Sequence, residues 1–108
     1  MWHSDRLQAA FDERCNKAVM LLKENLSKYD RIGVFGSYAR GDYKTTSDID
    51  MCVIVSEIPD RYTKGLLYEE LDLIGVDLCF ILSSDFQQSE TPFMQNLRRD
   101  FKEVSVHE

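Results

Sequence analysis

Residues 36–50 read GSYARGDYKTTSDID, a glycine turn followed by two aspartates one residue apart. The stretch lies between two apolar runs, residues 32–35 (IGVF) and residues 51–55 (MCVIV). Both runs are short, rich in β-branched or aromatic residues and bounded by polar turn residues, so both are predicted to be strands. The pattern therefore predicts a site for a nucleotide phosphate and a divalent metal, set between two strands.

The two aspartates, Asp48 and Asp50, are predicted to share one face of the second strand, because successive side chains of a strand alternate faces. At roughly 4 Å and an effective dielectric near 20, two carboxylates repel by about 4 kcal/mol. A hard cation relieves this repulsion, and Mg²⁺ prefers one or two carboxylates together with substrate phosphates. Gly36 and Ser37 are predicted to hold the phosphate through backbone N–H groups and the N-terminus of a following short helix.

A third carboxylate, Asp77, is predicted at the same end of the sheet. It lies near the start of another strand candidate, residues 76–81 (VDLCFI), and apolar positions at helical spacing predict a crossover helix over residues 61–74. Such a connection within one sheet makes the two strands parallel, with their starts at the same end. Asp77 is therefore expected to meet Asp48 and Asp50.

Each of these residues also has a structural interpretation. Taken singly, Asp48 is better explained as a turn cap and Asp50 as a charge at a strand edge. Their combination with Asp77 and the glycine turn favours a metal site instead. For Arg40, one turn beyond Ser37, two interpretations stay open: a surface helix residue or a ligand of the triphosphate.

Other elements are predicted from helical spacing and capping residues. A first helix is expected from about Ser4 or Asp5 to Leu26, with an apolar stripe that packs on the sheet. The pair Thr91–Pro92 is typical of the N-cap and first turn of a helix, here the last one. Residues 104–106 are expected to form an edge strand.

The three cysteines lack the spacing of a metal site and indicate reduced thiols. Cys52 and Cys79 share the facing parity of the aspartates and are expected to be small buried side chains beneath the acidic site. Ser84 and Asp85 are predicted to form a turn or cap.

Composition limits the class of protein. At 108 residues the chain is expected to form a single domain, residues 1–108. It has no stretch long and apolar enough to span a membrane and no signal-peptide pattern, so a cytoplasmic location is expected. The net charge of −6 argues against binding to bulk nucleic acid, which draws its affinity from Lys and Arg.

The combination of FGS at residues 35–37, DIDM at residues 48–51 and VDL at residues 76–78 resembles the signature of the DNA polymerase beta-type nucleotidyltransferase superfamily. The small size and GSYARG at residues 36–41 make the chain similar to the minimal nucleotidyltransferase (MNT) family, whose members are commonly antitoxin partners of HEPN-domain toxins. This resemblance implies an α+β (α/β) polymerase beta-like palm, with a small mixed β-sheet packed against helices. One departure is DFKE at residues 100–103, where the family often has a glycine between the last helix and a final strand.

The resemblance also implies an enzyme, a Mg²⁺-dependent nucleotidyltransferase that uses two ions and takes ATP as its substrate. It implies a tyrosine hydroxyl of a HEPN toxin as the acceptor of AMP, as in a type VII-like antitoxin. The residues implied to be catalytic and to bind metal are Asp48, Asp50 and Asp77. The residues implied to bind the nucleotide phosphates are Gly36, Ser37 and Arg40.

Two other functions remain open from the sequence. The chain is alternatively a non-catalytic antitoxin that neutralises its toxin by forming a complex, with the acidic site retained but unused. A nucleotidyltransferase acting on a small molecule such as an antibiotic is the other alternative, and it would need a second subunit to complete a substrate pocket. A homodimer and a hetero-oligomer with a toxin both fit the sequence.

Overall fold

A four-stranded mixed sheet forms the centre of the chain, which the computed structural model describes from residue 5 to residue 104. The sheet has the order β3-β2-β1-β4, with β1 antiparallel to both β2 and β4, and β2 parallel to β3. The described elements, in chain order, are α1 (Asp5–Asn25), β1 (Arg31–Phe35), α2 (Gly36–Arg40), β2 (Ile49–Val55), α3 (Arg61–Asp72), β3 (Val76–Leu82), α4 (Ser83–Gln88), α5 (Pro92–Asp100) and β4 (Lys102–Glu103). The predicted mixed sheet, its parallel pair and the crossover helix are thereby confirmed.

Helices cover both faces of β2, which explains its almost continuous apolar sequence. Ile49, Met51 and Val53 point into a core shared with the apolar faces of α1 and α3. On the opposite face, Cys52 and Ile54 pack in a second cluster with residues of α5. The strand that carries Asp50 is therefore fixed from both sides.

Helix α1 packs its apolar stripe on the sheet, as predicted, and buries Phe11, Ala18 and Leu22. It ends at Asn25, one residue before the expected end, while Leu26 stays buried just beyond it. Ser4, the alternative start, lies outside the described residues. Within residues 5–104 no helix is both long and apolar enough to span a bilayer.

The last helix begins as predicted: Thr91 is the N-cap of α5, and its side chain accepts a hydrogen bond from the backbone N–H of Met94. An edge strand was expected at residues 104–106, and the structure already pairs an edge strand, β4, with β1 over residues 102–103. Val104 still donates its backbone N–H to Ile32, and residues 105–106 lie outside the described part of the chain.

The start of β4 at Lys102 has a packing reason. The ring of Phe101, the residue that ends α5, covers Gly33 so closely that a side chain on Gly33 would overlap it. With the ring docked there, the following residues are already placed against β1, and Arg31 forms an ion pair with Glu103 at 3.1 Å. The segment DFKE thus leads directly from the helix to the strand.

Helix α4 was not predicted, since Ser84 and Asp85 were expected to form a turn or cap. Both lie in its first turn, and the helix spans six residues, Ser83–Gln88. A helix this short has too few residues for a helical apolar period to be visible in the sequence.

Candidate active site

Asp50 and Asp77 lie opposite each other across the parallel strands β2 and β3. Partners in register on neighbouring strands direct their side chains to the same face of a sheet. Asp48 lies one residue before β2 and is exposed, as is Asp77, whereas Asp50 is partly buried. Asp50 and Asp77 are the second residues of adjacent strands, as the sequence predicted, whereas Asp48 directly precedes β2 and does not lie within the strand.

The electrostatics of Asp50 show that the three carboxylates share one environment. Burial raises the pKa of its carboxyl group above the ordinary value, and the negative charges of Asp77 and Asp48 raise it further. Arg40 acts in the opposite direction, but burial and the two acids outweigh it. The protein thus leaves part of the negative charge at this site uncompensated, a condition that favours a bound cation.

The three aspartates do not form a complete metal cage by themselves. Within residues 5–104 no three His, Cys, Asp or Glu side chains are already arranged to hold a metal ion. Mg²⁺, however, is usually bound by one or two carboxylates together with substrate phosphates and waters. The donor set of Asp48, Asp50 and Asp77 therefore fits an ion that arrives with a triphosphate.

The glycine turn lies directly against Asp50. Gly36 follows β1 with φ +73°, and a Cβ atom at this position would overlap the Oδ2 atom of Asp50. The N-cap of α2 is Phe35, whose side chain has no hydrogen-bond acceptor, so the amides after Gly36 are not capped by it. These amides suit an anion, and a carboxylate this close to an anion requires a cation between them.

Helix α2, which begins at this turn, is held on α1 by Tyr38. The Tyr38 hydroxyl donates a hydrogen bond to Oδ1 of Asp12, and its ring stacks on Phe11 with centroids 5.9 Å apart. Burial, followed by the hydrogen bond to Asp12, raises the pKa of Tyr38 far above its usual range. Sequence reasoning missed Asp12, because nothing in the local pattern of α1 distinguishes this partly buried aspartate from the other polar residues of the helix.

Arg40, at the end of α2, is paired with two acids. Its Nε donates to Asp42 at 3.2 Å and its Nη1 to Asp100 at 3.0 Å, which links α2 to α5. The hydrogen bonds that it donates to Asp42 and Asp100 raise the pKa of the guanidinium group. Arg40 is nevertheless near enough to Asp50 to lower the pKa of that carboxyl group, so it lies beside the site while engaged by acids.

Cys52 and Cys79 lie side by side on β2 and β3, two residues beyond Asp50 and Asp77 in register. Both thiols are free, with Cys52 buried and Cys79 partly buried. They pack under the acidic site with the α5 side of the core, as small buried side chains are expected to do.

Comparison with known proteins identifies the family. The model of the nucleotidyltransferase domain family matches residues 15–106. The chain belongs to this family. The nucleotidyltransferase is 34% identical over 74 residues to MJ0141 of Methanocaldococcus jannaschii, a candidate protein adenylyltransferase, a match that covers 68% of this chain and 69% of that protein. It is also 36% identical over 56 residues to the protein adenylyltransferase MntA of Shewanella oneidensis, covering 52% of this chain and 40% of MntA.

The solved structures agree with the fold. The nucleotidyltransferase superposes with a TM-score of 0.60 on a chain from the complex of a tri-AMPylated Shewanella oneidensis HEPN toxin with its MNT antitoxin, covering 90% of this chain and 73% of that one at 22% identity. At this identity the likeness establishes the fold. Together with the relatives, it confirms the predicted resemblance to minimal nucleotidyltransferases and the polymerase beta-like palm.

Proposed function

We propose that this nucleotidyltransferase transfers AMP from ATP to a tyrosine hydroxyl of a HEPN toxin. The observation that carries the proposal is the pairing of Asp50 with Asp77 across β2 and β3, directly beside the Gly36 turn. Relatives named protein adenylyltransferase support the reaction, and the complex of an MNT antitoxin with an AMPylated HEPN toxin supports a polypeptide acceptor.

In this proposal Asp48, Asp50 and Asp77 hold Mg²⁺. When bound, the ion supplies charge neutralisation for the triphosphate. The backbone amides after Gly36, with the Ser37 hydroxyl, bind the β- and γ-phosphates. These groups are fixed before substrate arrives, because α2 is tied to α1 and the turn is packed against Asp50.

The reaction is an in-line displacement at the α-phosphorus. The acceptor oxygen forms a bond to that phosphorus, and the bond from phosphorus to the oxygen that bridges to the β-phosphate breaks. Asp77, the exposed carboxylate on the outer strand, accepts the proton of the attacking hydroxyl. Pyrophosphate departs with the electron pair of the broken bond, toward Ser37 and Arg40.

The test is label transfer with ATP labelled at either the α- or the γ-phosphate, in the presence of Mg²⁺ and the product of the neighbouring gene. Transfer of only the α-label to that polypeptide is expected from the wild-type protein, and none from Asp50→Asn. Glu24→Gln is the matched control, since it removes one exposed carboxylate near the C-terminal end of α1, away from the site. A stable complex without transfer would instead indicate neutralisation by sequestration.

A further inference from the structure

A groove of about 420 Å³ opens between α3 and β3, on the face of the sheet that α3 covers, and extends to the strand position of Asp77. Asp77 lines it from the strand, and Tyr68, Glu69 and Asp72 line it from the helix. In the described part of the chain β3 is the outer strand of the sheet and pairs only with β2. The groove is therefore open along a sheet edge. It lies on the α3 face, where Tyr68 meets Phe80, whereas the side chain of Asp77 alternates to the other face of β3. A segment held in the groove would reach the Asp77 carboxylate around the edge of β3.

The order of the strands determines which side of the reaction this groove serves. Asp50 lies on β2, between the Gly36 turn at the end of β1 and Asp77 on β3. In-line transfer places the attacking and leaving oxygens on opposite sides of the phosphorus. If pyrophosphate leaves on the β1 side, as in the proposed function, the acceptor enters from the β3 side, where the groove lies.

The charge of the groove indicates what it accepts. Three of its lining residues, Glu69, Asp72 and Asp77, are acidic, and none of its described lining residues is Lys or Arg. By contrast, a groove of about 250 Å³ beside β1 is lined by Arg40 and Lys102. The acidic character is therefore a local property of the β3 side and not only a consequence of the overall charge.

Tyr68 gives the groove an aromatic wall. Its side chain is 42% exposed, and its ring meets the ring of Phe80 edge to face, with centroids 5.8 Å apart. This contact with a side chain of β3 holds the ring in place. A fixed, half-exposed ring beside carboxylates suits a Lys or Arg side chain, which interacts favourably with both.

We propose that the groove docks the acceptor segment of the partner polypeptide and recognises Lys or Arg residues that flank the acceptor tyrosine. This inference rests on the proposed function, because it assumes a polypeptide acceptor. The groove residues that supply the recognition are Tyr68, Glu69 and Asp72. Asp77 lies at the strand position where the groove meets the edge of β3, and the acceptor hydroxyl reaches its carboxylate around that edge.

The test measures binding of three fluorescein-labelled synthetic peptides of equal length, each with one tyrosine flanked by Lys and Arg, by Ser and Gly, or by Glu. Fluorescence anisotropy is read with Mg²⁺ and a non-hydrolysable ATP analogue present. The wild-type protein is expected to bind the basic peptide most tightly. The double variant Glu69→Lys/Asp72→Lys is expected to bind that peptide about tenfold more weakly, since each exposed charge pair contributes modestly.

A matched variant, Glu24→Lys/Glu57→Lys, makes the same change in net charge at two exposed positions toward the opposite end of the sheet. It is expected to stay within about twofold of the wild-type affinity, as screened distant charges do. If thermal unfolding shows that the charge-reversed variant does not fold, the milder double variant Glu69→Gln/Asp72→Asn replaces it. The milder variant is expected to lose an intermediate part of the affinity for the basic peptide.

Equal binding of the three peptides, or an equal loss in the groove and matched variants, would overturn the inference. A second measurement, transfer of the α-label to the same peptides, distinguishes failure of the groove inference from failure of the proposed function. Transfer without preference for flanking charge would support the function and reject the groove. Selective binding of the basic peptide without transfer would support the groove and count against the function.

Discussion

The Cα atom of Gly36 lies so close to the Asp50 carboxylate that the turn has no room for a side chain. The register of β1 with β2 fixes this approach, because Phe35, the residue before the glycine, pairs with Asp50. The phosphate turn and the metal-binding carboxylate are therefore one packed unit, although fourteen positions separate the two residues in the sequence.

Gly36→Ala should disrupt both halves of this unit. A residue with a Cβ atom at φ +73° is strained, and the new methyl group would displace the Asp50 carboxylate. We expect the free energy of unfolding to fall by about 1–3 kcal/mol, as for other strained backbone positions. Transfer of AMP should fall at least tenfold, because the shifted carboxylate no longer faces the phosphate turn. Denaturant unfolding and label transfer measure the two effects.

The control for this substitution is Gly41→Ala. Gly41 has φ +85°, but a Cβ atom there would meet nothing within 4 Å. The control therefore reports the backbone strain without the contact to Asp50, and it should lower stability while retaining most of the transfer activity. Equal activity in the two variants would show that the contact with Asp50 does not matter.

Asp50→Asn should abolish transfer without destabilising the protein at neutral pH. The folded state raises the pKa of Asp50 above its ordinary value, mainly through burial and then through Asp77 and Asp48. A raised carboxyl pKa means that the folded state binds the proton more tightly than the unfolded state, so ionisation of Asp50 costs stability as pH rises through the folded pKa. Removing the charge removes this cost.

The pH dependence distinguishes this explanation from a structural role for Asp50. The compared quantity is the melting temperature of Asp50→Asn minus that of the wild type. This difference should be lowest in acid, where Asp50 is protonated in both the folded and the unfolded state. It should increase as pH rises through the raised pKa. Thermal unfolding of both proteins from about pH 3 to pH 8 measures it. A large loss of stability in the variant at pH 7 would contradict the prediction.

The sequence predicted the part of the molecule in which local pattern and tertiary structure agree. The strands around residues 36–50, the parallel pair and the placement of Asp77 follow from alternation, from the crossover rule and from the spacing of the acids. Each of these signals is contained within a few residues or one strand–helix–strand unit. The same holds for Thr91, which acts as an N-cap whatever the rest of the fold does.

The features that the sequence did not predict depend on contacts between distant segments. The position of β4 depends on the Phe101 ring against Gly33, and the tie between Tyr38 and Asp12 joins residues that are 26 positions apart. Neither pair has a local signature. The acidic groove is similarly invisible in the sequence, since it forms only when α3 packs against an outer strand.

Tyr38→Phe tests the hydrogen bond between Tyr38 and Asp12, which joins α2 to α1. The substitution removes the hydroxyl that donates to Asp12 but keeps the ring stacked on Phe11. We expect the free energy of unfolding to fall by about 1–2 kcal/mol, since the lost hydrogen bond involves a charged acceptor. Tyr62→Phe, at a position 79% exposed, is the control and should change it little. Similar unfolding curves for both variants would show that the hydrogen bond does not stabilise the junction.

Arg40→Gln tests whether Arg40 is a ligand of the triphosphate or only a surface residue of α2. If the guanidinium contacts the triphosphate during the reaction, the KM for ATP should rise about tenfold while kcat changes little, as expected for loss of a charge-assisted contact. Arg61→Gln, at an exposed position on the first turn of α3, controls for the loss of one positive charge. The melting temperature should change little in either variant, because Arg61 is exposed and the Arg40 side chain remains 46% exposed in its ion pairs, which therefore contribute little to stability.

Asp100→Asn completes this test, because it removes the partner that holds Arg40 Nη1 at 3.0 Å. A guanidinium group released from this acid is freer to reach a phosphate, so a triphosphate ligand should give an equal or lower KM for ATP in this variant. If Arg40 serves only to join α2 to α5, the two substitutions break the same ion pair and should change KM in the same way. Steady-state kinetics of Arg40→Gln and Asp100→Asn at equal Mg²⁺ concentration therefore distinguish a phosphate ligand, with opposite effects on KM, from a structural link, with parallel ones.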